Sequence, residues 1–213
     1  MKISEILLLG PVIPVIVIDN ADLAPALGEA LLSGGIKSIE VTLRTDAALD
    51  SIERLARDLP EICVGAGTIL SETNASSAAN AGARFGVCPG STPSIINACR
   101  VQNLPLLPGA STVSEILTLH EAGFTAMKFF PAAAAGGIQF IKSLSSPLPH
   151  IQFCPTGGIT YDTASEWLAL KNVICVGGSW LAPTNDINQK KFLEITERAK
   201  RASTLENYEN ATY

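Results

Sequence analysis

Charge is scarce in this chain of 213 residues. Asp, Glu, Lys and Arg make up only 16% of it, the net charge is −5, and Lys and Arg nowhere form a cluster. Phosphate-backbone affinity rests on grouped cations, so a nucleic-acid partner is excluded. Histidine is scarcer still: His120 and His150 are the only two. The clustered ligands of a metal centre are therefore missing, and no metal is expected. No apolar run is long enough to cross a bilayer, so no membrane partner is expected either. The opening "MKISEILLLGPVIPVIVIDN" has the look of an export signal, but Glu5 interrupts it, Pro11 and Pro14 break it, and no small-x-small site follows. Five cysteines (Cys63, Cys88, Cys99, Cys154, Cys175) are odd in number, scattered and mostly set in apolar runs. That is the usage of reduced core thiols in a cytoplasmic protein, and it excludes a disulfide framework.

Apolar residues are plentiful, at 47%. Eight short runs recur: "VIPVIVI", "SIEVTLR", "ICVGAGT", "RFGVCPG", "PLLPGA", "TAMKFFP", "HIQFCPT" and "VICVGGS". Stretches with helical spacing separate them, such as "LAPALGEALLSGG", "AALDSIERLARDL" and "VSEILTLHEAG", and Gly34–Gly35, Gly82 and Gly123 stand where such helices would be capped. Strand and helix alternate every twenty to twenty-six residues or so, which implies parallel strands joined by right-handed crossovers. An open doubly wound sheet would carry a glycine fingerprint after its first strand, and "VIPVIVIDNADLAP" has none. The pattern predicts an α/β fold, a (β/α)8 TIM barrel forming a single domain over residues 1–213. Residues 1–10 read as an extra N-terminal helix closing the barrel floor, and 204–213 as a polar tail.

Within that frame a few polar residues stand out. In "SIEVTLR", Ser38, Glu40, Thr42 and Arg44 alternate with Ile39, Val41 and Leu43. A parallel barrel strand has helices over its outer side, so the polar set is predicted to face inward, where charge is costly without a task. Lys128 in "FTAMKFFPAAAAGG" follows the same rule, sharing a face with Ala126 and Phe130 while Met127 and Phe129 share the other. Facing inward, Lys128 and Glu40 would meet. Burial disfavours a charged amine and a carboxylate favours it, so the pair is either a structural ion pair or an activated nucleophile with its proton carrier. Gly157–Gly158 and Gly177–Gly178, with Thr156 and Ser179 beside them, follow the seventh and eighth runs. Loops in those places cradle phosphate in this architecture.

"EVTLRT", "VGAGT", "KFFPA", "FCPTGGI" and "GGSWL" occur in this order between about Gly10 and Pro183. In this the chain resembles the bacterial 2-keto-3-deoxy-6-phosphogluconate aldolases, many of which also act on 4-hydroxy-2-oxoglutarate. The resemblance implies a class I, Schiff-base aldolase on a (β/α)8 barrel, a homotrimer that needs no metal or other cofactor. It makes Lys128 the imine-forming residue, Glu40 the proton shuttle and Arg44 the carboxylate ligand. It also sets Thr68 and Thr156 against the pyruvyl portion, and Gly157, Gly158, Gly178 and Ser179 in the phosphate site. "CPTGGI" favours the phosphogluconate enzymes over their phosphogalactonate cousins. One departure is "PAAAAGG", where many relatives carry a Glu and often an Asn after "PA".

Other readings remain open from the residues alone. A phosphate-binding barrel isomerase or epimerase would use Lys128 only as a charge anchor, and a non-catalytic barrel would bind a sugar phosphate without turnover. A cysteine nucleophile at Cys154 or Cys175 lacks a histidine at recognisable spacing.

Overall fold

The computed structural model describes residues 1–206, and in it strands and helices alternate as the pattern predicts. The strands are β1 (Val12–Ile16), β2 (Ser38–Thr42), β3 (Cys63–Gly67), β4 (Phe85–Val87), β5 (Leu106–Leu107), β6 (Gly109–Ala110), β7 (Ala126–Phe129), β8 (Gln152–Pro155) and β9 (Val176–Gly178). The helices are α1 (Ile3–Leu7), α2 (Ala24–Ser33), α3 (Ala48–Asp58), α4 (Glu72–Asn80), α5 (Pro93–Val101), α6 (Val113–Glu121), α7 (Gly137–Leu144), α8 (Tyr161–Leu168), α9 (Thr184–Asn188) and α10 (Phe192–Ser203). None of them is long and apolar enough to cross a membrane.

All strand pairings are parallel. The ladder is a curled six-stranded sheet, in the order β5-β4-β3-β2-β1-β9, beside a three-stranded sheet, β6-β7-β8. The single strand expected from "PLLPGA" is thus two, because Pro108 has no N–H to give the ladder. Its carbonyl still accepts from Lys128 N at 2.8 Å. At the other junction "VICVGGS" is regular only from Val176. Contact between β8 and that segment consists of isolated parallel bridges, Phe153 with Val173 and Thr156 with Gly177.

Alternation along each strand sorts side chains into two apolar clusters. Ile39 and Val41 of β2 and Met127 and Phe129 of β7 join Leu27, Leu31, Ile52 and Leu55 of the covering helices. Ile13, Cys63, Phe85, Val87, Leu107, Ala126 and Cys154 form the second cluster from the opposite strand faces. Ile6 and Leu7 of α1 complete it, each fully buried. Helix α1 is shorter than the expected 1–10, since Gly10 and Pro11 follow it, yet both of its buried side chains go where a floor would be. At about 1.5–3 kcal/mol for each buried aliphatic side chain, those two anchor the N-terminus firmly. At the other end Thr204–Glu206 lie beyond α10. The rest of the expected polar tail, 207–213, lies outside the described residues.

Helix ends follow the sequence signals. Gly35, Gly82 and Gly123 adopt the left-handed conformation after α2, α4 and α6. Ser71, Thr92 and Thr112 cap the starts of α4, α5 and α6. In α6 the cap is reciprocal: Thr112 Oγ1 accepts from Glu115 N, while Glu115 Oε2 accepts from Ser111 N at 2.8 Å and Thr112 N at 2.9 Å.

The Ser111 N–H leads the bonds that hold the Glu115 carboxyl below its ordinary value of 4.5. Its stabilisation is therefore complete above the unfolded-state value and is lost as pH falls through the lower folded one. Glu115→Ala should cost about 1 kcal/mol in urea unfolding at pH 7. The difference from wild type should vanish in acid.

Candidate active site

Strands β2 and β7 deliver Glu40 and Lys128 to one point. Lys128 Nζ lies 3.2 Å from Oε1 and 3.2 Å from Oε2 of Glu40, and the two residues are only 5% and 4% exposed. The equal distances let one ammonium serve both carboxylate oxygens. Room for the carboxylate comes from β3: a methyl group on Gly67 would collide with the Glu40 side chain, so any other residue there would displace the carboxylate. The ring of Phe130 lies with its centroid 5.5 Å from Nζ, close enough for a cation–π contact. Desolvating two charges costs several kcal/mol each, and the close contact of this pair offsets it.

Arg44, two residues beyond β2, is exposed, and its Nε donates to Thr68 Oγ1 at 3.2 Å. Thr68 follows Gly67, so this second pair sits beside the first. Its φ is +59°, a left-handed value that a β-branched residue adopts only under constraint. The constraint is visible on either side. Leu43 N donates to Gly67 O at 2.9 Å, and Ile69 N donates to Val87 O at 3.0 Å. Between those two bonds the chain has to turn sharply at Thr68.

The glycine loop after β8 is tied to β7 and its following turn. Thr156 N donates to Phe129 O at 2.9 Å, Ala132 N to Thr156 O at 2.8 Å, and Ala133 N to Gly157 O at 3.0 Å. Gly157 and Gly158 have φ of +102° and +76°, which glycine alone reaches without strain. Thr156 is buried and lies against Gly177, and the indole of Trp180 folds back over Gly178. Ser179 between them is exposed. Lys128 with Glu40, Arg44 with Thr68, and Thr156 with the β9 glycines are thus three adjacent groupings at the C-terminal ends of the strands.

Gly67 and Phe130 also shape the site. Gly67 is set by Glu40 on another strand, which spacing along β3 does not record. Phe130 shows its shared face with Lys128, but nothing in an apolar side chain marks a place beside a cation. All five cysteines are buried. Burial pushes the thiols of Cys88 and Cys175 up, and that of Cys99 up to about 11. Among the described residues no group of three or more His, Cys, Asp or Glu is placed to hold a metal ion. The roomy cleft of about 350 Å³ between α5 and α6 is lined by residues such as Thr92, Ile96, Arg100 and Leu119, and by neither Lys128 nor Glu40.

A family described as KDPG and KHG aldolase matches residues 3–198. The chain is 42% identical over 199 residues to the KHG/KDPG aldolase of Escherichia coli (strain K12), covering 93% of each chain. Its fold is similar to a crystal structure of KDPG aldolase from Legionella pneumophila with pyruvate captured at low pH as a covalent carbinolamine intermediate. There the TM-score is 0.93 and the identity 42%, over 96% of this chain and 99% of that one. A 2-keto-3-deoxy-6-phosphogluconate aldolase of Zymomonas mobilis ZM4, solved with 3-phosphoglycerate, is 38% identical at a TM-score of 0.89, over 96% of each chain.

Removing one member of the buried pair should be far worse than removing both. Lys128→Met alone should cost about 3–5 kcal/mol in denaturant unfolding at neutral pH, because it leaves Glu40 uncompensated. Lys128→Met with Glu40→Leu should recover most of that loss. Equal stabilities for single and double variants would mean that the two charges do not depend on each other.

Proposed function

The chain belongs to the KDPG and KHG aldolase family, and on that premise we propose that it is a class I aldolase. It cleaves 2-keto-3-deoxy-6-phosphogluconate to pyruvate and glyceraldehyde 3-phosphate, and 4-hydroxy-2-oxoglutarate to pyruvate and glyoxylate. The observation that carries this reading is the enclosed Lys128 amine, 3.2 Å from both oxygens of Glu40.

The pair supplies what the reaction needs. Lys128 gives a proton to Glu40, and the freed amine adds to the C2 carbonyl to form a carbinolamine. Loss of water leaves a protonated imine, whose nitrogen is an electron sink. Glu40, again ionised, takes the proton of the C4 hydroxyl. The C3–C4 bond breaks, its electron pair enters the imine system as an enamine, and the aldehyde departs. Glu40 returns the proton to C3, and water releases pyruvate and the amine. General acid–base help of this kind is worth about two to four powers of ten. The face of Phe130 suits a cationic imine nitrogen as it suits the ammonium.

Around this centre, Arg44 offers its remaining N–H groups to the substrate carboxylate, with Thr68 fixing the guanidinium. Thr156 closes the pyruvyl side. Gly157, Gly158, Gly178 and Ser179 receive the phosphate, a role favoured by the positive φ values and the exposed serine hydroxyl. We read the two sheets as one closed (β/α)8 barrel, a single domain over 1–213. The bridges between β8 and the β9 segment support this on one side, as does the continuity of β5 and β6 through Pro108 on the other. Exposed Val113 and Leu117, one turn apart on α6, leave apolar surface that a homotrimer would cover, and we place the protein in the cytoplasm.

Incubation with pyruvate and borohydride should add mass to one peptide, the one holding Lys128. Glu40→Gln should bind pyruvate but lose most turnover. No adduct, or one on another lysine, would remove the Schiff-base assignment and return the site to the isomerase reading. Arg44→Ala should raise KM for both 2-oxo acids by about tenfold or more, as the loss of a charge-assisted bond implies. Binding of glyceraldehyde 3-phosphate alone should change little.

A further inference from the structure

Outside the catalytic groupings, the structure brings the only two histidines of the sequence together. His120 lies in the last turn of α6, and His150 stands two residues before β8 begins. Their Nε2 atoms are 3.2 Å apart. The ring centroids are 4.6 Å apart with the planes inclined at 48°. The rings are therefore tilted against each other rather than joined end to end. Two nitrogens bonded to one Zn²⁺ at 2.0–2.1 Å in tetrahedral geometry stand about 3.3–3.4 Å apart, close to the spacing found here.

We propose that His120 and His150 form a two-imidazole chelate for a borderline divalent ion such as Zn²⁺ or Ni²⁺, with water completing its coordination. Three further features favour it. His150 is exposed, which gives an ion a way in. His120 Nδ1 is enclosed with no partner among the described residues, so Nε2 is the nitrogen through which that ring can reach a ligand. The site also lies at the C-terminal end of α6, where the helix dipole favours positive charge. Imidazole suits Zn²⁺ and Ni²⁺, whereas Mg²⁺ and Ca²⁺ demand oxygen.

The ion would act as a clasp. Helix α6 leads into β7, His150 leads into β8, and the two strands are joined where Gln152 N donates to Thr125 O at 2.8 Å. A shared ion therefore ties together the entries of both strands, one of which carries Lys128. An ion that binds only the folded chain stabilises it. The site lies outside the catalytic pair and does not depend on the aldolase reading.

Titration calorimetry of the untagged full-length protein with Zn²⁺, and separately with Ni²⁺, tests it. One ion per chain should bind saturably and raise Tm, while Mg²⁺ and Ca²⁺ do neither. His150→Gln, at an exposed position that should not disturb folding, should weaken binding at least tenfold and abolish the Tm shift. His120→Gln should do the same, and aldolase turnover of the His150→Gln protein without added metal should match wild type. Absence of saturable uptake by the wild type would leave only a hydrogen-bonded histidine pair and overturn the proposal. Uptake undiminished in His150→Gln would overturn it as well, by placing the ion elsewhere.

Discussion

One buried contact, that between Lys128 and Glu40, sets conditions that much of the structure meets. Two opposite charges withdrawn from water are tolerable only if each stays within reach of the other. Strands β2 and β7 belong to different sheets, so that proximity depends on the curl that brings the two sheets to face each other. Register matters as much. A one-residue slip in either strand would turn its charged side chain among the covering helices and put an aliphatic one in its place. The apolar partners Ile39, Val41, Met127 and Phe129, packed on the other side, make such a slip costly.

The same contact explains why neighbouring positions are small or distorted. Glu40 occupies the volume that a side chain on Gly67 would need. The next residue, Thr68, holds a backbone conformation unfavourable to it and so brings its hydroxyl to Arg44. Strain stored at one residue is plausible only where flanking bonds over-determine the chain, and the Leu43 and Ile69 amides supply them. Carboxylate, guanidinium and hydroxyl are thus positioned by backbone on rigid strands and their immediate ends, with little left to mobile loops.

Much of this could be read from the residues. Period-two alternation placed Glu40 and Lys128 on inner faces, because a strand covered by helices leaves polar groups only one direction. Glycines at helix ends marked boundaries through local chemistry that no distant contact overrides. The division of "PLLPGA" into β5 and β6 was harder to see, since Pro108 withholds a donor from the ladder while its carbonyl still takes part. Gly67 beneath Glu40 and His120 against His150 were invisible for another reason. Each depends on where separate segments come to rest in space, and neither spacing nor composition records that. Phe130 lay between these cases: its face was legible, but its service to a cation was hidden by its apolar character.

Helix α1 sets Ile6 and Leu7 against Ile13, Phe85, Val87 and Leu107, and so seals that end of the strands from water. For the proposed reaction, substrate and both products are left the opposite rim as their way in and out. Pyruvate, bonded to Lys128 until water releases it, follows the aldehyde.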